Sequence, residues 1–321
     1  MAGPFAHLMT VDRIVRTTPD LLDEYGAKVR YVLEKHTNFC QLGAVSPDLP
    51  SIDFLHPGSR YWANIMHYWN TADVLRKGVA WFAGRDLSDP NDQKALAWLF
   101  GYAAHVVTDL TVHPVLAASG FPYAEQPFEH RMCEVNQDAY IFRELNGTDP
   151  ETVGFIENCG IGSCCDPSDD GRVFPAVRAL WLHCLADIDL AQVQMKEGAI
   201  TPNVPPTPDA WFSTYTTREA EFLEHHGGFI LYLRGLVDSE AISLPPIDHV
   251  NVDKYIKNLK TSSLKPTDYD TVFASAVDNV RRTWRELSAS FEAHDQTLFT
   301  LNNADMDTGI VDGTETQVFP A

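Results

Sequence analysis

His105, Asp109 and His113 are the only acidic, basic or imidazole side chains between Ala95 and Ala124, and all three fall in AHVVTDLTVHP. Steps of four residues put them on one helical face, drifting about 40° per step, with about 6 Å between neighbours and about 12 Å between the two histidines. One metal ion cannot collect both imidazoles, so Asp109 lies midway between two metal positions. An unpaired carboxylate in so apolar a helix costs several kcal/mol and tends to neutralise, whereas a divalent cation favours its charged form. A polar core in which Asp109 is bonded to two histidines satisfies the same spacing.

Helical periodicity dominates the rest of the chain, as in VDRIVRTTPDLLDEYGAKVRYVLEKH, YWANIMHYWNTADVLRKGVAWFAG, PFEHRMCEVNQDAYIFREL, FPAVRALWLHCLADIDLAQVQM, TREAEFLEHHGGFILYLRGLVD and DYDTVFASAVDNVRRTWRELSASFEAHD. Strand-like alternation is nowhere sustained, so the fold class is all-α, a single-domain multi-helix bundle over residues 1–300. Turn-rich breaks separate the helices at 46–59, 159–171, 201–209 and 243–248. Pro114 cannot donate to Leu110 and is expected to kink or end its helix just after His113. The tail at 301–321, LNNADMDTGIVDGTETQVFPA, is polar and turn-rich and is expected to be flexible; its DMDTG lacks the further ligands of a calcium loop.

A hydrophobic content of 45% in 321 residues is ample for a large core. The formal net charge of -20 disfavours nucleic acid as a partner and argues against polybasic attachment to anionic membranes. MAGPFAHLMTVDRIVRTTPD has neither the basic start nor the apolar core of a signal peptide, and no apolar window long enough to span a bilayer escapes His105 or Asp109. The expectation is a soluble, cytoplasmic protein without a transmembrane segment, with secretion or delivery as an effector the alternative. Six cysteines in a chain of this length match no paired zinc pattern and read as reduced and structural.

His130 and Glu134 in FEHRMCEVNQD repeat the i, i+4 geometry on a second helix. Upstream lie His67 in NIMHYWN, Asp48 in the turn GAVSPDLP and His7 in FAHLMTV. Taken singly, a histidine on an apolar face is a core residue, but these recur in an ordered series. The series AHLMTVDRIV, GAVSPD, a His on a helix, AHVVTDLTVHP and HRMCE resembles the zinc-dependent phospholipase C superfamily. That superfamily includes glycosylphosphatidylinositol-specific phospholipase D and, more distantly, fungal single-strand-specific zinc nucleases. The resemblance implies an all-helical fold whose first helices surround two or three Zn²⁺ ions. Asp48, His67, His105 and Asp109 would hold one ion, His113, His130 and Glu134 a second, and Asp109 would bridge to a third bound by His7. In the secreted bacterial phospholipases C and the nucleases an N-terminal tryptophan helps bind that third ion, whereas here Met1 to Ala6 precede His7. His56 in DFLHPGS is an alternative to His67.

The donors are all nitrogen or carboxylate oxygen, a set that suits zinc. Paired divalent ions support hydrolysis of a phosphodiester by an activated water, and the implied partners are a phospholipid or related phosphate ester and a transient contact with the membrane surface presenting it. Asp48, on a loop, is the candidate catalytic carboxylate, able to take a proton from the attacking water; alternatively it is a ligand only. Phe54, Tyr61, Trp62, Tyr68 and Trp69 read as core, or as rings for a quaternary ammonium headgroup. His225 and His226 point to different helical faces, GIGSCC is no dinucleotide fingerprint, and the helices of residues 172–300 are candidates for a substrate rim. A nuclease or small-metabolite phosphoesterase on the same metals, and a non-catalytic helical protein stabilised by them, are the competing readings.

Overall fold

The computed structural model describes residues 3–53, 58–85, 87–147, 159–188, 205–224 and 245–319. The fold is all-α. Among the described residues its α-helices are α1 (Pro4–Asp12), α2 (Gly26–Lys35), α3 (Thr37–Val45), α4 (Ser59–Tyr68), α5 (Thr71–Trp81), α6 (Pro90–Ala118), α7 (Pro127–Asn146), α8 (Pro175–Leu185), α9 (Pro208–Glu224) and α10 (Tyr269–Ala293). Two short antiparallel hairpins pair Cys165–Asp166 with Asp169–Val173 and Leu259–Lys260 with Pro266–Thr267.

The central element is α6. Asp89 caps it by accepting from the Asn91 amide at 2.9 Å, and Pro90 supplies a first-turn φ without a wasted donor. It is long and apolar enough to cross a bilayer, yet 94% of its most apolar window is buried within the protein. It is therefore packed as a core helix. It meets α3 and α10 most extensively. On α10, Trp284 Nε1 donates to the Phe100 carbonyl at 2.8 Å and Asn279 Nδ2 to Thr111 Oγ1 at 3.1 Å. Trp98, Trp181 and Trp211 form a ladder of rings with centroids 5.4 and 5.3 Å apart, tying α8 and α9 to α6. Among the described residues, no disulfide joins any of the six cysteines.

Two sequence expectations are corrected. Helix α6 does not end at Pro114 but runs on to Ala118, because the proline forfeits one intrahelical bond while the surrounding packing holds the next turn. The segment after 300 is not a loose tail. Leu301, Ala304, Met306 and Asp307 are buried, and bridges pair Ala304 with Val311 and Ile310 with Gln317. Polar residues mark that segment because they bond to α4 and α5. Phe54, His56, His225 and His226 lie outside the described residues. Tyr61 and Trp62 are buried in the core.

Candidate metal centre

Four local devices aim the side chains. At the start of α1, the amides of Phe5 and Ala6 donate to the Asp138 carboxylate of α7 at 2.9 and 2.8 Å, so a buried acid from another helix satisfies two of the first-turn donors. Gly3 is needed there, since a Cβ would lie 2.2 Å from Asp138 Oδ2. This docking seats His7 flat against His105, ring centroids 3.9 Å apart and 18° between planes. Between α3 and α6 the backbones touch: a Cβ on Gly43 would lie 2.0 Å from the Trp98 carbonyl oxygen, and one on Gly101 1.8 Å from that of Cys40.

That close approach brings the Ala44 carbonyl to His105 Nδ1 at 2.8 Å. It also places the turn Ser46–Ile52, which carries Asp48, beside α6, where Ser46 Oγ accepts from Trp98 Nε1 at 2.8 Å. On α4, His67 Nδ1 donates to the Ala63 carbonyl at 2.6 Å, and on α7, His130 Nδ1 donates to that of Phe121 at 2.7 Å.

The eight residues singled out from sequence converge as three groups, the first two sharing His105, each with ligand atoms within 4.8 Å of one another: His7, His105 and Asp109; Asp48, His67 and His105; His113, His130 and Glu134. Asp109 is at the centre. Its Oδ1 lies 3.4 Å from His7 Nε2 and 3.3 Å from His113 Nε2, and its Oδ2 lies 3.4 Å from His105 Nε2 and 3.7 Å from His67 Nε2. Asp48 Oδ1 stands 3.3 Å from His67 Nε2, and Glu134 Oε1 stands 3.1 Å from His130 Nε2 and 3.9 Å from His113 Nε2. All eight are essentially sealed from solvent.

The second ring nitrogens favour a cation site over a plain polar core. A carbonyl can only accept, so His67, His105 and His130 each carry their proton on Nδ1, leaving Nε2 a bare lone pair in the neutral ring. His67 Nε2 and His105 Nε2 then face each other at 3.1 Å, and His130 Nε2 faces a carboxylate oxygen at the same distance. Acceptors brought together in this way repel unless a cation lies among them. His36 shows the contrast: it is also buried, but its Nε2 meets the Gln93 side-chain oxygen at 3.1 Å, as a satisfied core histidine does.

Burial lowers the His7 and His113 imidazoles to about 4 and also lowers His67, so the neutral form that ligates metal is present at pH 7. Burial alone would raise the Glu134 carboxyl, but Arg131 and His130 hold it well below the usual range. Arg131 Nη1 donates to Glu134 Oε2 at 2.7 Å, which turns Oε1 toward His113 and His130.

A pH effect follows. An unfolded chain protonates His7 and His113 near 6.5, while the folded, metal-free protein keeps them neutral down to about 4. Between those values the unfolded state binds more protons. Their contribution to stability should be constant above pH 7, fall as pH drops from 6.5 to about 4 by up to roughly 1.4 kcal/mol per pH unit per imidazole, and level off below. Denaturant titrations of chelator-stripped protein across that range measure it, and a flat profile would contradict the neutral, buried imidazoles.

A model of the zinc-dependent phospholipase C family matches residues 6–188, more than half of the chain. The chain belongs to that family. No curated protein and no solved structure matches it significantly. The zinc-dependent family and the nitrogen-and-oxygen donor set agree with one another, since buried imidazoles and carboxylates at this density suit Zn²⁺. Three residues around the centre escaped the sequence reading: Arg131, Asp138 and Asp307. Asp138 carried a signal, for His130, Glu134 and Asp138 repeat on α7 the four-residue steps of His105, Asp109 and His113 on α6.

Proposed function

We propose that the protein is a zinc-dependent phosphodiester hydrolase of phospholipase C type, acting on a phospholipid or related phosphate ester. The observation that carries this reading is the set of bare Nε2 lone pairs and carboxylate oxygens facing one another around Asp109, in a chain of a zinc-dependent phospholipase C family. Asp48, His67, His105 and Asp109 would hold one ion, His113, His130 and Glu134 a second, and His7 with Asp109 a third, Asp109 being the carboxylate within reach of more than one of them. Bound zinc would neutralise phosphate oxygens and lower the pKa of a water toward neutrality.

The chain's own residues do the rest. The Ala63, Ala44 and Phe121 carbonyls fix the tautomers of His67, His105 and His130. Arg131 fixes Glu134. Asp48 approaches from a turn, not from a helix shared with other donors, so one of its carboxylate oxygens can face His67 while the other accepts a proton from the attacking water.

Zinc-loaded protein should hydrolyse members of a panel of phosphatidylcholine, phosphatidylethanolamine and phosphatidylglycerol vesicles. It should lose at least about a thousandfold in rate on chelation, some 4 kcal/mol of barrier, and recover on zinc addition. A zinc-loaded protein that leaves every phospholipid and small phosphodiester uncleaved would defeat the proposal. Preferential digestion of single-stranded DNA would move the assignment to a nuclease, against the net charge of -20.

A further inference from the structure

The segment after Leu301 lies beyond the residues matched by the family model, yet it is built into the metal centre. Asn303 Oδ1 accepts from the Ala72 and Asp73 amides at 2.9 and 3.0 Å, and Ala304 exchanges hydrogen bonds with Thr71 Oγ1 at 3.0 and 3.1 Å, fixing the segment to the first turn of α5. The Met306 amide then donates to the carbonyl of His67 itself, at 3.0 Å. Asp305 Oδ1 accepts from the Asp307 and Thr308 amides at 2.9 and 3.1 Å, closing the turn that presents Asp307. Gly309, at φ +69°, lets the chain lie against α6, where a Cβ would sit 2.8 Å from Pro114 Cγ.

Asp307 is buried between two elements. Its Oδ2 accepts from Tyr68 Oη at 3.1 Å, and its Oδ1 lies 3.6 Å from His113 Nδ1. For His67, His105 and His130 a main-chain carbonyl accepts from Nδ1; beside His113 Nδ1 this carboxylate stands 3.6 Å away, close enough to act on the ring through its charge. A negative charge at that distance favours the imidazole proton on Nδ1, and with it an Nε2 lone pair turned toward Asp109 Oδ1 and Glu134 Oε1.

We propose that Asp307 is a positioning residue of the metal centre, holding His113 in its metal-binding tautomer, so that zinc affinity at the His113, His130 and Glu134 group depends on the C-terminal segment. The inference rests on the reading of that group as a zinc site.

The test compares wild type, Asp307→Asn and Asp307→Ala in three respects: zinc affinity by chelator competition, the visible absorption of the cobalt-substituted protein, and denaturant stability of the metal-free protein. Asp307→Ala should bind one of its zinc ions roughly 10- to 100-fold more weakly, with a changed cobalt spectrum and metal-free stability close to that of wild type. Asp307→Asn, which keeps the acceptor and loses the charge, should recover part of the loss. Equal zinc affinity in all three proteins would overturn the inference alone, as would a loss of affinity matched by the same loss of metal-free stability in both variants. Wild-type protein that binds no zinc would overturn the zinc reading together with it. If Asp307→Ala does not fold, Asp307→Asn decides: weaker zinc binding in a protein of wild-type metal-free stability supports the role, and unchanged binding refutes it.

Discussion

Asp109→Ala is expected to lose more than one zinc ion per chain and to slow phosphodiester hydrolysis at least about a thousandfold, some 4 kcal/mol of barrier. The reason is geometric. Each Asp109 oxygen faces two imidazoles, Oδ1 those of His7 and His113 and Oδ2 those of His105 and His67, so one carboxylate serves all three donor groups. Its removal leaves four buried imidazoles without the anion that offsets cations among them. Elemental analysis of wild type and variant, alongside initial rates, measures both effects. Loss of no more than one ion would show that Asp109 belongs to a single group, and unchanged zinc content would remove it from the centre altogether. Asp109→Asn, which keeps the shape, should fall nearer to alanine than to wild type, because charge is what the position supplies.

Gly101→Ala should cost about 3 kcal/mol or more of stability, at or beyond the upper end for a single added methyl group. The methyl would meet the Cys40 carbonyl oxygen at 1.8 Å and the Ala44 amide nitrogen at 2.9 Å, both main-chain atoms that no side-chain rotation can move. Helices α3 and α6 would have to separate. The Ala44 carbonyl would then withdraw from His105 Nδ1, and the turn bearing Asp48 would shift with it, so zinc affinity should fall along with stability. Denaturant unfolding of the metal-free variant isolates the packing effect, and zinc titration follows the second. A variant within 1 kcal/mol of wild type and with unchanged zinc affinity would mean that the two helices can part without consequence for the site.

The spacing of His105, Asp109 and His113 sets Asp109 between two groups of candidate ligands, because a helix converts four-residue steps into a line. His130 and Glu134 were legible for the same reason. Asp48, His67 and His7 were legible only through the ordered series and its resemblance to a family, since nothing local says that a turn and two further helices meet one point. The close contact of Gly43 and Gly101 was illegible: a glycine in a helical pattern reads as a weak residue until its partner backbone is known. Pro114 does not end α6 because the cost of a proline inside a helix is local, whereas α6 is held over its whole length by burial.

Asp307 is the more instructive case. Polar, turn-rich composition after residue 300 is that of a flexible tail, but here the segment's polar groups are spent on Thr71, Ala72, Asp73 and His67. Composition reports that a segment wants hydrogen-bond partners. It does not report whether water or protein supplies them.

The most direct test of the multinuclear zinc centre is a crystal structure of zinc-loaded protein with diffraction recorded on both sides of the zinc absorption edge. The account expects two or three anomalous peaks inside the bundle, each about 2.0–2.2 Å from Nε2 atoms of the grouped histidines, with Asp109 contacting more than one of them. A single interior peak, or zinc found only at the surface, would mean that His105, Asp109 and His113 form a polar core and that the hydrolase reading has lost its basis.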